Sequence, residues 1–98
     1  MTYRIVFRRA AAAEYADAAR WYEDRAAGVG HRFINRIEQA LAFISEAPFR
    51  PAAILAKVRR VKTREFPFFV YYLVEDSRIV VLAIFHARRN PTIWQRRK

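Results

Sequence analysis

The chain has 98 residues, is 54% hydrophobic and 15% aromatic, carries a net charge of +10 and contains no cysteine. That length supports one core-bearing domain spanning residues 1–98. The composition excludes a disordered chain, a disulfide framework and a thiolate metal site. No apolar segment approaches the roughly 18–20 residues of a membrane span, and Arg8-Arg9 arrive too early for a signal peptide, so a cytoplasmic domain with no membrane partner is expected.

Residues 3–8, "YRIVFR", form a short β-rich run and the expected first strand. The period then changes. Ala11, Ala12, Tyr15, Ala18, Ala19, Tyr22 and Ala26 fall on one helical stripe, with Asp17, Arg20 and Asp24 opposite. The "GVG" at 28–30 stops this helix and permits a tight reversal. A second helix follows with Val29, Phe33, Ile37, Ala40, Leu41 and Ile44 on its apolar stripe, ended by Pro48. So short a glycine loop between two amphipathic helices predicts an antiparallel helical hairpin.

Residues 48–56 are a connection without clear period. The cation-rich "KVRRVKTREF" at 57–66 then alternates weakly, as suits a sheet-edge strand. "PFFVYYLVE" at 67–75 and "RIVVLAIFHA" at 78–87 are apolar runs joined at Asp76-Ser77, a hairpin turn. Asn90-Pro91 ends the last strand and "TIWQRRK" makes one helical turn. The expected fold is α+β with order β-α-α-β-β-β: a helical hairpin on one face of a largely antiparallel four-stranded sheet.

That architecture poses a problem of cover. A two-layer sheet should alternate apolar and polar residues, and the last two strands do not. Phe66, Phe68, Val70 and Tyr72 share one face, against Phe69, Tyr71 and Leu73. In the last strand Val81, Ala83 and Phe85 are expected to oppose Val80, Leu82, Ile84 and His86. The helical hairpin covers one face. The segment around Trp94 covers part of the other, and a partner chain is expected to cover the rest.

Charge is distributed unevenly. Residues 1–46 hold seven Arg and six acids; residues 47–98 hold twelve Lys or Arg and three acids. Such asymmetry points to a polyanion or an acidic protein partner. Neither helix has a basic face, which argues against a free-standing nucleic-acid reader. His86, near a strand end with Arg88 two residues on, reads as a general base or as a hydrogen-bonded structural histidine. His31 lies apart on the helical hairpin, so no metal site and no cofactor are expected.

Taken together, "WYEDRAAGVGHRFINRIEQAL", "REFPFFVYYLVEDSRIVVLAIFHARRNPTIW" and the element order resemble the RelE/ParE superfamily of bacterial toxins, most closely the ParE-like, plasmid-stabilisation branch. The strongest parts are Trp21-Tyr22-Glu23, Phe66-Pro67-Phe68, and His86-x-Arg88-x-x-Pro91. The resemblance implies the toxin of a type II toxin–antitoxin system, neutralised by a cognate antitoxin. It implies inhibition of DNA gyrase by binding or, in RelE-like members, mRNA cleavage on the ribosome. RNA cleavage through the 2′-hydroxyl needs a base and cations for the phosphorane. RelE-like enzymes carry an Arg in the strand where this chain has Phe69, and a C-terminal Tyr or His-Tyr where it has Trp94. Those departures favour binding over catalysis, with no catalytic residue. A nuclease would have to use His86, Arg88, Arg60 and Arg64.

The antitoxin implied is acidic and apolar, disordered alone, and folds as it wraps the toxin. Its expected contacts, and those of the target, are Arg60, Arg64, Arg88 and Arg89, with Trp21 and Trp94 as aromatic anchors. The cations at 57–64 also read as phosphate contacts or as edge-strand protection, and Trp21 also reads as packing on the second helix. A homodimer or a heterotetramer with the antitoxin is compatible with all of this.

Overall fold

The computed structural model describes residues 3–97. Met1, Thr2 and Lys98, the ends of the first and last segments read from the sequence, lie outside them. The elements are β1 (Arg4–Phe7), α1 (Arg9–Arg25), α2 (Val29–Glu46), β2 (Arg59–Lys62), β3 (Phe68–Glu75), β4 (Arg78–His86) and α3 (Thr92–Gln95). The sheet order is β1-β4-β3-β2, with β1 parallel to β4 and the other pairs antiparallel. The β-α-α-β-β-β order and the helical hairpin on one sheet face are as expected.

The hairpin is made by local chemistry. On α2, Phe33, Ile37, Ala40, Leu41 and Ile44 are buried at helical spacing. On α1 the stripe is shallower: Ala11 is buried and Tyr15, Ala18, Ala19 and Tyr22 are half-buried. Ala12 and Ala26, placed on that stripe by periodicity, are exposed instead. Gly28 takes a left-handed conformation (φ 87°) that glycine adopts without penalty. The Glu23 carboxylate then accepts N–H bonds from Gly28 and Gly30, each 2.9 Å. It caps two orphan donors where the helix dipole favours negative charge. The Gly28 N–H, aided by that of Gly30, holds the Glu23 carboxyl below its usual value against the opposing effect of burial.

The turn at Asp76-Ser77 has both residues at positive φ, 52° and 63°. That is the mirror-image turn whose twist matches a two-residue hairpin. Along this hairpin Tyr71 pairs with Ala83 and Tyr72 with Val81, leaving Leu82 without a partner. This β-bulge corrects the expected faces of β4. Val81, Ile84 and, beside Phe68, His86 look toward the helices. Val80, Leu82, Ala83 and Phe85 look away from them. One extra residue shifts the alternation, because two successive side chains then share a side.

Two cores result. Between helices and sheet lie Phe33, Phe66, Phe68, Val70 and Tyr72, with rings packed edge to face. On the outer face Tyr71, Leu73, Val80, Leu82 and Phe85 are also buried. Their cover comes from this chain itself. Trp94 of α3 stacks on Tyr71 at 4.3 Å, and Val58 closes the other flank. These residues are therefore buried without a partner chain. Burying one large aromatic ring contributes about 3 kcal/mol, enough to hold a single turn of helix in place.

Candidate functional site: a groove between helix and sheet end

A groove of about 370 Å³ opens between α1 and the end of β4, lined by Glu14, Asp17, Trp21, Phe68, His86 and Arg89 among others. Trp21 is half exposed, with the Arg25 guanidinium 3.6 Å above its ring. It faces this groove, with Tyr22 set edge-on beside it, so of its two readings the groove is the one its surroundings favour.

Glu14 is the hub. Its carboxylate accepts the Ile84 N–H (3.1 Å) and pairs with Arg89 and Arg97, both at 2.9 Å. Parallel pairing with β1 reaches only Val81, so beyond it the β1-side edge of β4 would be bare. Glu14 occupies the Ile84 donor there, and Arg97 donates to the Leu82 carbonyl. The bulge, α1 and the C-terminal segment are thus tied by one carboxylate. Sequence reading passed over this residue, although a signal existed. Glu14 lies three residues after Ala11 and four before Ala18, on the apolar stripe itself, where a charge requires a partner.

His86 half-enters the groove with its ring 5.2 Å from Phe68. Its Nδ1 accepts the Arg88 N–H at 3.0 Å, which places the proton of the neutral ring on Nε2. β4 ends at His86 and the chain turns, so Arg88 lies beyond the strand and does not share its face with His86. Arg88 is exposed, and Arg89 is engaged with Glu14 and lies over the Phe85 ring.

The remaining sequence-nominated residues lie elsewhere. Arg60 is on the outer sheet face, stacked 4.3 Å over Phe69 and donating to the Tyr71 hydroxyl at 3.4 Å. Arg64 lines a separate hollow between α2 and β2 with Arg36, Phe43 and Lys62. Trp94 is 3% exposed. Its role as an exposed aromatic anchor is corrected: it serves the outer core, because Tyr71 gives its ring a better surface than water does. His86 and Arg60 are therefore on opposite faces of the sheet and are not brought together. Among the described residues no group of three His, Asp or Glu side chains gathers that could hold a metal ion.

No curated protein matches the chain in sequence. Among solved structures it is similar to a chain of the chromosomal ParDE toxin–antitoxin system from P. aeruginosa, with TM-score 0.77 and 16% identity over 89% of this chain and 98% of that one. It is also similar to a mutant E. coli toxin RelE in the free state, with TM-score 0.61 and 16% identity over 99% and 94% of the two chains. At such identity these likenesses concern the fold. The family described as "ParE toxin of type II toxin-antitoxin system, parDE" matches residues 5–91, from β1 to the turn before α3. With the hairpin, the groove and all of the sheet but Arg4 inside that match, the chain belongs to the ParE toxin family of type II toxin–antitoxin systems.

Proposed function

We propose that this toxin acts by binding DNA gyrase, a cytoplasmic target, and has no nuclease chemistry of its own. The observation that carries the reading is the separation of His86 from Arg60 and Arg64, two of the cations a nuclease would need. His86 is on the helix side of the sheet with Nδ1 occupied, whereas Arg60 is on the outer side, stacked on Phe69. A phosphorane needs its base and its cations converging within hydrogen-bond reach of one substrate. Binding needs no such convergence. The test is direct: the purified chain should stop gyrase supercoiling and leave mRNA intact on translating ribosomes. Codon-linked cleavage without any effect on supercoiling refutes the reading.

The cognate antitoxin implied by membership of a ParDE family fits the groove between α1 and β4. Trp21 supplies an apolar anchor there, and Arg25, over the Trp21 ring, and Arg88, bonded through its N–H to His86, are exposed cations that can meet acidic side chains. A segment that folds on binding suits a narrow groove, since it can thread where a folded body cannot. Screening should slow its association more than it speeds release, because steering is the salt-sensitive part. Arg88→Glu with Arg25→Glu should weaken capture while the toxin stays folded; unchanged association would remove these arginines from the interface.

A further inference from the structure

The connection between α2 and β2 is the most unusual surface of the molecule. Four of the six exposed large apolar side chains among the described residues lie here or just before it: Phe43, Phe49, Ile54 and Leu55. Phe49 is 57% exposed, and every residue from Ala52 to Lys57 is exposed. Five of those six are apolar. Water-facing apolar residues in such a run are uncommon in a monomer unless something binds them.

This segment is nevertheless held in one shape. The buried Tyr72 hydroxyl donates to the Pro48 carbonyl at 2.7 Å. The Arg59 guanidinium donates to the carbonyls of Phe49 and Pro51 and lies over the Phe49 ring. Ile54 and Leu55 exchange backbone bonds with Val58. Arg50 lies over Phe43. The apolar side chains are thus presented on an anchored frame and linked contact by contact.

Along the chain the segment carries charge of one sign, with Glu75 meeting it across a hollow beside Ala56 and Lys57. Between Glu46 and Glu65 there are six cations and no acid. By contrast the groove at α1 and β4 contains Glu14 and Asp17.

We propose that this rigid, apolar and cationic connection is the surface that seats the toxin's target, a folded protein offering acidic side chains around an apolar depression. The proposal rests on the reading that the toxin acts by binding. A preorganised surface loses little entropy when it meets a folded partner, whereas a narrow groove suits a segment that folds as it binds. Complementary charge supplies steering and register, and the exposed rings supply the desolvated anchors. Target and antitoxin then occupy different faces.

The test compares wild type with Arg50→Glu/Lys57→Glu and with Phe49→Ser/Leu55→Ser. Readouts are thermal melting, capture by the cognate antitoxin, growth arrest at matched expression, and inhibition of purified gyrase. The charge variant uses two exposed side chains that make none of the frame's hydrogen bonds, Arg50 touching it only over the exposed Phe43 ring, so it carries the test if the apolar variant fails to fold. The expected result is a folded variant, still captured by antitoxin, whose growth arrest is weakened on the order of tenfold or more. Undiminished arrest by the folded charge variant overturns the proposal, as does a wild type that arrests nothing. Antitoxin capture lost in step with arrest would make this the antitoxin's surface and overturn it too. So would vesicles of phosphatidylglycerol that retain wild type and release the charge variant, since the occupant would then be lipid. Growth arrest is read without reference to gyrase, so a toxic wild type that leaves supercoiling intact refutes the gyrase reading alone.

Discussion

Gly30→Ala should be among the most damaging single-methyl changes in the molecule. A Cβ at Gly30 would lie 2.6 Å from the Ala19 carbonyl oxygen, 2.8 Å from Glu23 Cβ and 2.9 Å from Glu23 Oε1. The first obstacle is helix backbone, so no side-chain rotation relieves it. Reaching ordinary contact moves the methyl and Ala19 about 0.8 Å apart, which separates α1 from α2 along a packed interface. Overpacking of this kind costs roughly 1–3 kcal/mol. Lengthening the Gly30 N–H bond to the Glu23 carboxylate also weakens a cap at the start of α2. Against this, alanine reduces unfolded-state entropy for a gain of about 0.4–1 kcal/mol. The net expectation is a loss of about 1–2 kcal/mol, or roughly 5–15 °C in melting temperature for a domain of this size. Gly28→Ala is the control: its Cβ meets nothing within 4 Å, and only the positive φ is strained, for about 1 kcal/mol. Melting by circular dichroism decides. If Gly30→Ala melts with wild type, or Gly28→Ala is the worse of the two, close approach at Gly30 is not what positions the hairpin.

Glu14→Ala should cost about 2–4 kcal/mol, since it leaves the Ile84 N–H and two arginines without their acceptor. In a Trp21→Phe background, Trp94 emission should shift to the red as the C-terminal segment loosens; unchanged emission would deny Glu14 its tethering role. The carboxyls of Glu23, held by the Gly28 N–H, and Glu65, held by Arg36, sit below 4.5. Their contribution is present above pH 4.5 and lost as pH falls through the depressed values, so Glu23→Gln should flatten the acid side of a stability–pH profile. Burial raises Tyr72 from 10.0 to about 12 against the opposing Arg59 charge. Its contribution is complete below pH 10 and declines between pH 10 and 12, and Tyr72→Phe should remove that part of the alkaline decline. His86→Gln should keep growth arrest near wild type, whereas a fall on the order of 10²-fold in a folded variant would restore a titrating role.

The sequence by itself determined what is local. Helical stripes at 3.6-residue spacing, the glycine break, the hairpin turn at Asp76-Ser77 and the cationic edge strand each arise from neighbours along the chain, and each was legible there. The candidate site was legible in its parts: Trp21, His86 and the arginines stand out by residue type and position. Their grouping was not. "RIVVLAIF" is apolar on both faces, so a bulge at Leu82 changes no visible alternation, yet it turns His86 to the helix side, away from Arg60. By sequence Trp94 reads both as cover for the outer sheet face and as a partner's anchor; packing decides for cover, with Tyr71 more than twenty residues away in the chain and 4.3 Å away in space. Glu14 gains its meaning only when the edge of β4 left bare by a short β1 is brought beside α1. Periodicity reports which side of an element seeks burial; only tertiary packing decides what it is buried against, and therefore which charged groups share a face.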